Sequence, residues 1–245
     1  MKIYRIYLKN NNIKINKKIL ISNIKQVHYL NKVVRIKSND LIEIFNNSKY
    51  IYHSKITNLE KNNIHIKIIK VIETKTESFL QLHLGQVISK KQNMDFTIQK
   101  SVELGVKTIT PLISEKCYKK YKSDIYKKKI IRWTKIAESA CHQCKRNILL
   151  KINDITELKK WCIEQTKALK IFFNPYSSIS IKKLPKKHIK NIRLLIGSEH
   201  GFSSTEIELL KKNKFNDILL GPRILRTETA SITAISILQF KYGDI

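Results

Sequence analysis

The stretches NIRLLIGSEHGFSSTE, Asn191 to Glu206, and DILLGPRILRTETASITA, Asp217 to Ala234, decide the fold. Each is a short apolar run, a glycine-containing turn and a helix start. Leu194, Leu195 and Ile196 read as a buried strand that stops at Gly197, and Ser203 with Glu206 forms the Ser-x-x-Glu capping box that opens a helix. In the second stretch Ile218, Leu219 and Leu220 run into Gly221-Pro222, and after a short apolar turn Thr227 and Glu228 begin the last helix. Two strand ends of this kind, side by side, form a ligand crevice at the carboxyl edge of an α/β sheet.

The chain has only 6 Gly and 4 Pro among 245 residues, yet Gly197, Gly201, Gly221 and Pro222 all fall in these stretches. As a set the glycines are expected to meet a backbone need, either positive φ or close approach to a ligand. A Gly-x-Gly-x-x-Gly turn is absent, which excludes the usual dinucleotide fingerprint.

Upstream, from Phe79 onward, strands alternate with long helices, the pattern of a parallel sheet. Phe79 to Leu84 is a predicted strand. The helix after it places Met94, Ile98 and Val102 on one face and is closed by Gly105. A strand at Lys107 to Ile113 follows, then a helix with Ile130, Trp133, Ala137, Ala140 and Cys144 on its inner face. Further strands are expected at Ile148 to Ile152 and Ala168 to Phe173, where Asn174-Pro175 breaks the chain; Lys182 to Lys190 is a basic connector. Residues 1–72 read differently. Short alternating runs at Ile3–Leu8, Ile13–Ile15, Leu41–Phe45, Tyr50–Tyr52 and Ile64–Ile68, with a helical segment at Asn23–Val34, suggest a small barrel. The expected domains are therefore 1–72 and 73–245.

Lys and Arg number 48 against 19 Asp and Glu, a net charge of +29. That balance favours a polyanion as partner, most simply nucleic acid; compositional drift toward Lys, Ile and Asn is the competing account. Lys116, Lys119, Lys120, Lys122 and Lys127 to Lys129 form a basic loop that is either a solvated surface or a set of phosphate contacts. The start MKIYRIYLKNN lacks an apolar targeting core, and no run is long enough to span a bilayer, so a cytosolic protein with no membrane partner is expected. The four cysteines would then stay reduced. Cys141-His-Gln-Cys144 has metal-like spacing without a second pair to close a zinc site, so small core thiols are the reading and no metal is expected.

IGSEHGFSSTE and LGPRILRTETA resemble the I-G-P-E-G-G-F-S-x-x-E and L-G-x-R-I-L-R-x-E-T-A signatures of the RsmE family. Those enzymes methylate uracil N3 in small-subunit (16S) ribosomal RNA and belong to the SPOUT superfamily of knotted, S-adenosylmethionine-dependent methyltransferases. MDFTIQKSVELGVKTITPL, VHYLNKVVRIKSND and ESACHQCKRN resemble further family segments, so the similarity covers nearly the whole chain. It implies an α/β catalytic domain with a parallel sheet and a deep trefoil knot, preceded by a PUA-like β-barrel that helps hold RNA.

The resemblance also implies residue roles. Gly197, Gly201, Leu220 and Ile224 would offer backbone groups to S-adenosylmethionine, with Leu219 and Leu225 as apolar walls and Ile196, Gly221 and Glu228 completing the cofactor set. Arg226 is the expected stabiliser of the uracil anion, with Glu199 as the alternative polar catalytic group. Arg35, Lys100, Gln143 and Arg146 are the expected RNA contacts, with the small ribosomal subunit as partner and a homodimer formed through the C-terminal domain. Ser198 and His200 depart from the family's Pro and Gly; if position 200 needs positive φ, His there costs about 1–2 kcal/mol. Asn39 also replaces a family Gly, and Asn tolerates left-handed geometry. Two other readings are an assembly factor that binds RNA but has lost catalysis, and a knotted enzyme acting on transfer RNA.

Overall fold

The structure is a computed structural model, and it describes residues 4–9, 12–117, 123–185 and 188–245. Lys119, Lys120 and Lys122 of the expected basic loop lie outside the described residues, as does Ile3. The chain divides into two units, Met1–Glu77 with Lys145–Ile148, and Ser78–Cys144 with Leu149–Ile245.

The first unit is built on strands β1 (Tyr4–Tyr7), β2 (Lys18–Ile21), β3 (Leu41–Phe45), β4 (Tyr50–Leu59) and β5 (Ile64–Glu73), in the order β1-β3-β4-β5-β2. β1 and β3 are parallel; the other pairs are antiparallel. Two register shifts, at His53/Ser54 and Ile56/Asn58, curl the long β4–β5 ribbon. The result is a curled sheet whose end strands are not paired with each other among the described residues, an open form of the expected barrel. The strand expected at Ile13–Ile15 forms instead at Lys18–Ile21, because the chain reverses at Asn16, which takes φ 65°. Helix α1 (Ile24–His28) is capped by Asn23, whose side chain accepts from the backbone N–H groups of Lys25 and Gln26. A wider π-type turn, Tyr29–Val34, follows and ends at Arg35 in a left-handed conformation, φ 57°. Asn39 is left-handed as well, φ 72°, so the turn survives the loss of the family's glycine.

Isoleucine fills this core: Ile42, Ile44, Ile56, Ile64, Ile66 and Ile68 are fully buried, with Leu30 from the helical segment over them. β-branched side chains fit both the pleat and the curl of such a sheet. β5 runs to Glu73, in register with Tyr50, which puts the end of this unit at Glu77 rather than at residue 72. Lys145–Ile148 join the unit through buried polar bonds. Arg146, only 3% exposed, pairs its guanidinium with both oxygens of Glu77, and Asn147 Oδ1 accepts from Arg5 at 2.5 Å.

The second unit is a parallel sheet of β6 (Gln81–Val87), β7 (Thr108–Ile113), β8 (Lys151–Ile152), β9 (Thr156–Glu157), β10 (Leu169–Phe173), β11 (Asn191–Ile196) and β12 (Asn216–Ile218), ordered β12-β10-β11-β6-β7-β8 with β9 on β7. Helices α2 (Lys91–Glu103), α3 (Ser123–Cys144), α4 (Leu158–Ile163), α5 (Ser204–Lys212) and α6 (Thr227–Tyr242) cover it. Gly105 follows α2 at φ +78°, the left-handed stop expected of it. Trp133, Ala137 and Ala140 are buried on the inner face of α3, and Cys141 beside them is fully buried. Trp161 of α4 lies on the sheet at Gly85, where a Cβ would stand 2.7 Å from the indole ring. No helix among the described residues is long and apolar enough to cross a membrane.

Candidate active site

From β6 the sheet extends one way to β7 and β8 and the other way, through β11, to β10 and β12. The strand order therefore switches between β6 and β11, and the crevice beyond their carboxyl ends is where a ligand is bound in such sheets. Three loops enclose it: 197–203 after β11, 219–226 before α6, and 174–176 after β10. The cavity they enclose measures about 440 Å3.

The first loop is a tight turn. Ser198 O accepts from Gly201 N at 3.0 Å, and Ser198 Oγ accepts from His200 N at 3.3 Å. The left-handed residue is Gly201, φ +63°, and not His200, so the histidine carries no backbone strain. Ser198, which stands where the resembled signature has Pro, closes the turn with its hydroxyl. Gly197 is glycine for a different reason: a Cβ there would come within 3.3 Å of Gly201 Cα and of the Phe202 ring. At Gly221 φ is not left-handed and a Cβ would meet nothing within 4 Å, so neither backbone geometry nor a neighbour in the chain requires glycine there.

The loop then enters α5 through the capping box. Ser203 Oγ accepts from Glu206 N at 3.1 Å, and Glu206 Oε2 accepts from Ser203 N at 2.9 Å. Glu206 is 4% exposed, and its Oε1 also accepts from Glu115 N at 2.8 Å, which ties the end of β7 to this helix. Hydrogen bonds from the Ser203 and Thr205 hydroxyls hold the Glu115 carboxyl below its ordinary range.

A buried polar cluster fastens the loops to one another. Thr227 Oγ1 donates to Gly197 O at 2.6 Å and accepts from Gln86 Nε2 at 3.1 Å; Ser231 Oγ donates to Gln86 Oε1 at 2.6 Å. Gln86 and Ser231 are fully buried beneath the crevice floor. Sequence reasoning missed Gln86. The only signal was a polar side chain among the apolar residues at the carboxyl end of the central strand, where burial obliges it to find partners.

Ile196, Gly197, Gly201, Leu219, Leu220, Gly221, Ile224 and Leu225 all line the cavity, as do Arg226 and Glu199. Glu228 does not line it. Its Oε2 is buried in the first turn of α6 with no hydrogen-bond partner among the described residues, next to the positive end of the helix. The cavity also takes in Asn174, Tyr176, Phe202 and Arg223, which the sequence did not single out. Arg226 is exposed at the N-cap of α6 and makes no ion pair among the described residues, so its guanidinium is open to an anion. Glu199 is already engaged: Oε1 accepts from Lys90 N at 3.1 Å and Asn93 Nδ2 at 3.0 Å. It ties the loop to the start of α2.

Of the expected RNA contacts, Arg35 and Gln143 are exposed, and Lys100 is half-buried in an ion pair with Glu103 at 2.8 Å. Arg146 is occupied inside the first unit. No cluster of potential metal ligands occurs among the described residues.

Residues 76–239 match the profile of an RNA methyltransferase domain, and residues 21–69 that of an RNA methyltransferase PUA domain. The ribosomal RNA small subunit methyltransferase E of Buchnera aphidicola from Acyrthosiphon pisum is 48% identical, over 99% of this chain and 95% of its own. The chain belongs to the RsmE family.

Two solved structures with the RsmE fold are similar from end to end. A putative methyltransferase from Legionella pneumophila, in complex with S-adenosylmethionine, superposes with a TM-score of 0.93 at 34% identity, covering 100% of both chains. An RsmE from Neisseria gonorrhoeae, also bound to S-adenosylmethionine, gives 0.92 at 31%, again over 100% of both chains. The RsmE family is one of S-adenosylmethionine-dependent RNA methyltransferases, and the crevice here fits that cofactor. Its walls from Ile196, Leu219 and Leu225 are apolar, and Gly201 and Gly221 leave open the space a side chain would fill.

Proposed function

We propose that this protein methylates N3 of uracil in the 16S RNA of the small ribosomal subunit. The observation that carries the reading is the pairing of the crevice with an uncommitted guanidinium at its rim, Arg226. When bound, S-adenosylmethionine supplies an electrophilic methyl group on a sulfonium. What the chain contributes is alignment and charge. The Gly197 and Leu219–Leu225 loops orient the donor, and Arg226 faces the negative charge that builds on uracil as N3 loses its proton. A guanidinium stays protonated, so Arg226 acts as an electrostatic partner and not as the base. Glu199 acts through the Lys90 and Asn93 contacts, holding the loop in place.

Arg35, Lys100 and Gln143 are the proposed RNA contacts, with the PUA-like unit as part of the RNA-holding surface. The chain path through the 197–203 and 219–226 loops is read as the trefoil knot of the superfamily. The protein is read as a cytoplasmic homodimer joined through the C-terminal domain.

The test is methyl transfer to 16S RNA from cells lacking the activity, with the modified base read by mass spectrometry. The parent protein should convert one uridine to its N3-methyl form. Arg226→Ala should bind S-adenosylmethionine unchanged and lose about 100-fold or more in rate, the scale of removing one charge-stabilising donor. Full transfer by that variant would remove Arg226 from the chemistry.

A further inference from the structure

Close to the cofactor crevice lies a second cavity, a groove of about 270 Å3 between the start of α2 and the first turns of α3. Its floor is apolar: Met94 and Trp133, 1% and 2% exposed, pack beneath it, and Ile125, 42% exposed, presents the open apolar surface at the edge. Its rim is cationic: Lys91, Lys128, Lys129 and Arg132 surround that floor. The nearby carboxylate of Asp95 is taken by Arg132, whose Nε donates to Oδ1 at 3.0 Å. Lys91 and Lys128 are exposed and make no ion pair among the described residues. Lys129 lies 5.6 Å from the centroid of the Trp133 ring, half-buried, and that burial pulls its ammonium below its ordinary value. Beside them the Ser89 hydroxyl is buried with no hydrogen-bond partner among the described residues.

The groove is joined to the cofactor crevice through one residue. Ser89 and Lys91 line the groove, and between them Lys90 donates its backbone N–H to Glu199, a residue of the crevice. An apolar slot of this size inside a ring of cations suits one class of ligand, a planar base carried on a phosphodiester chain. An acidic peptide would satisfy the rim and leave the floor bare. A lipid surface would need a broad apolar face, which the cationic rim denies it.

We infer that the α2–α3 groove is a nucleotide subsite for the RNA substrate, holding an unstacked base that flanks the target uridine, with Lys91 and Lys128 on its phosphates and Ser89 bonding the base edge. This rests on RNA being the substrate, as proposed above.

The test uses the full chain with a short oligouridylate and an abasic ribose-phosphate strand of equal length. Ile125→Trp fills the groove from an exposed position. It should weaken oligouridylate binding about fivefold or more, the low end for one stacked base, and leave binding of the abasic strand unchanged. Lys91→Ala with Lys128→Ala should flatten the salt dependence by about 0.7 for each phosphate no longer neutralised. In methyl transfer, Ile125→Trp should raise KM for RNA at unchanged kcat and unchanged S-adenosylmethionine affinity. Equal binding of oligouridylate by Ile125→Trp, equal binding of the abasic strand and oligouridylate by the parent, or an unaltered salt slope each overturns the inference. A parent that binds oligouridylate through the groove yet leaves 16S RNA unmethylated would sink the proposed reaction and not the subsite.

Discussion

Thr227 donates its hydroxyl proton to the carbonyl oxygen of Gly197 across 2.6 Å, and so joins the two glycine-bearing stretches at one atom pair. Both ends are fixed. Gly197 is locked by the Ser198–Gly201 turn, and Thr227 is held by Gln86 from the strand below. Thr227→Val keeps the shape and removes both bonds. It should weaken S-adenosylmethionine binding about fivefold, the worth of a net hydrogen bond, in calorimetric titration, while Thr227→Ser restores it. A valine variant that binds like the parent would show that the crevice keeps its shape without this link.

Gly201 and Gly221, two of the three glycines of the crevice, answer to different constraints, and alanine separates them. Gly201→Ala forces a Cβ into left-handed backbone and should cost about 1–2 kcal/mol, visible as a lowered Tm without ligand. Gly221→Ala meets neither strain nor neighbour, so its Tm should match the parent's. Its effect should appear only in cofactor affinity. A lowered Tm in Gly221→Ala would mean the position has a folding role.

His83 makes stability fall on the acid side. Its imidazole is half-buried against Trp161 and bonded to Thr110 Oγ1 at 2.8 Å. Burial first, then Arg193 and Lys151, pull its pKa down from 6.5 to about 4. The unfolded chain therefore takes up this proton first as pH drops. The contribution is intact above pH 6.5 and is lost between 6.5 and about 4, by up to about 3 kcal/mol. Urea unfolding at a series of pH values should show this slope in the parent and a smaller one in His83→Gln; equal slopes would discount it.

Arg146 should matter to folding before it matters to RNA. Its side chain is 4% exposed and sits 2.8 Å from Glu77. Arg146→Met leaves the half-buried Glu77 carboxylate without its cation and should cost up to about 3 kcal/mol in chemical unfolding. Lys100→Ala, by contrast, breaks only a partly exposed pair worth less than about 1 kcal/mol. If Arg146→Met unfolds like the parent and only RNA binding drops, the ion pair is not what retains that arginine.

The local code of the site was legible because it is written in adjacent residues. The Ser203–Glu206 box, the left-handed stop at Gly105 and the start of α6 at Thr227 all depend on neighbours within four positions, and each forms where the spacing places it. The eight proposed cofactor positions that line the cavity were reached through motif resemblance, which is likewise carried by runs of adjacent residues. Periodicity gave the parallel sheet but displaced β2, since Ile13–Ile15 and Lys18–Ile21 are both short isoleucine-rich runs and only pairing with Ile64–Lys67 chooses between them.

Length, charge, strand–helix alternation and the two glycine-bearing signatures were settled by the sequence itself, because each is a property of consecutive residues. Tertiary structure alone decided that Gln86 fastens Gly197 to Thr227 and that Arg146 belongs to the first unit, because those contacts span 69 to 141 positions of chain. It also decided that the left-handed residue of the turn is Gly201 and not His200. No pattern of neighbours carries such information: a hydrogen bond between distant segments exists only once packing has brought both ends to the same place.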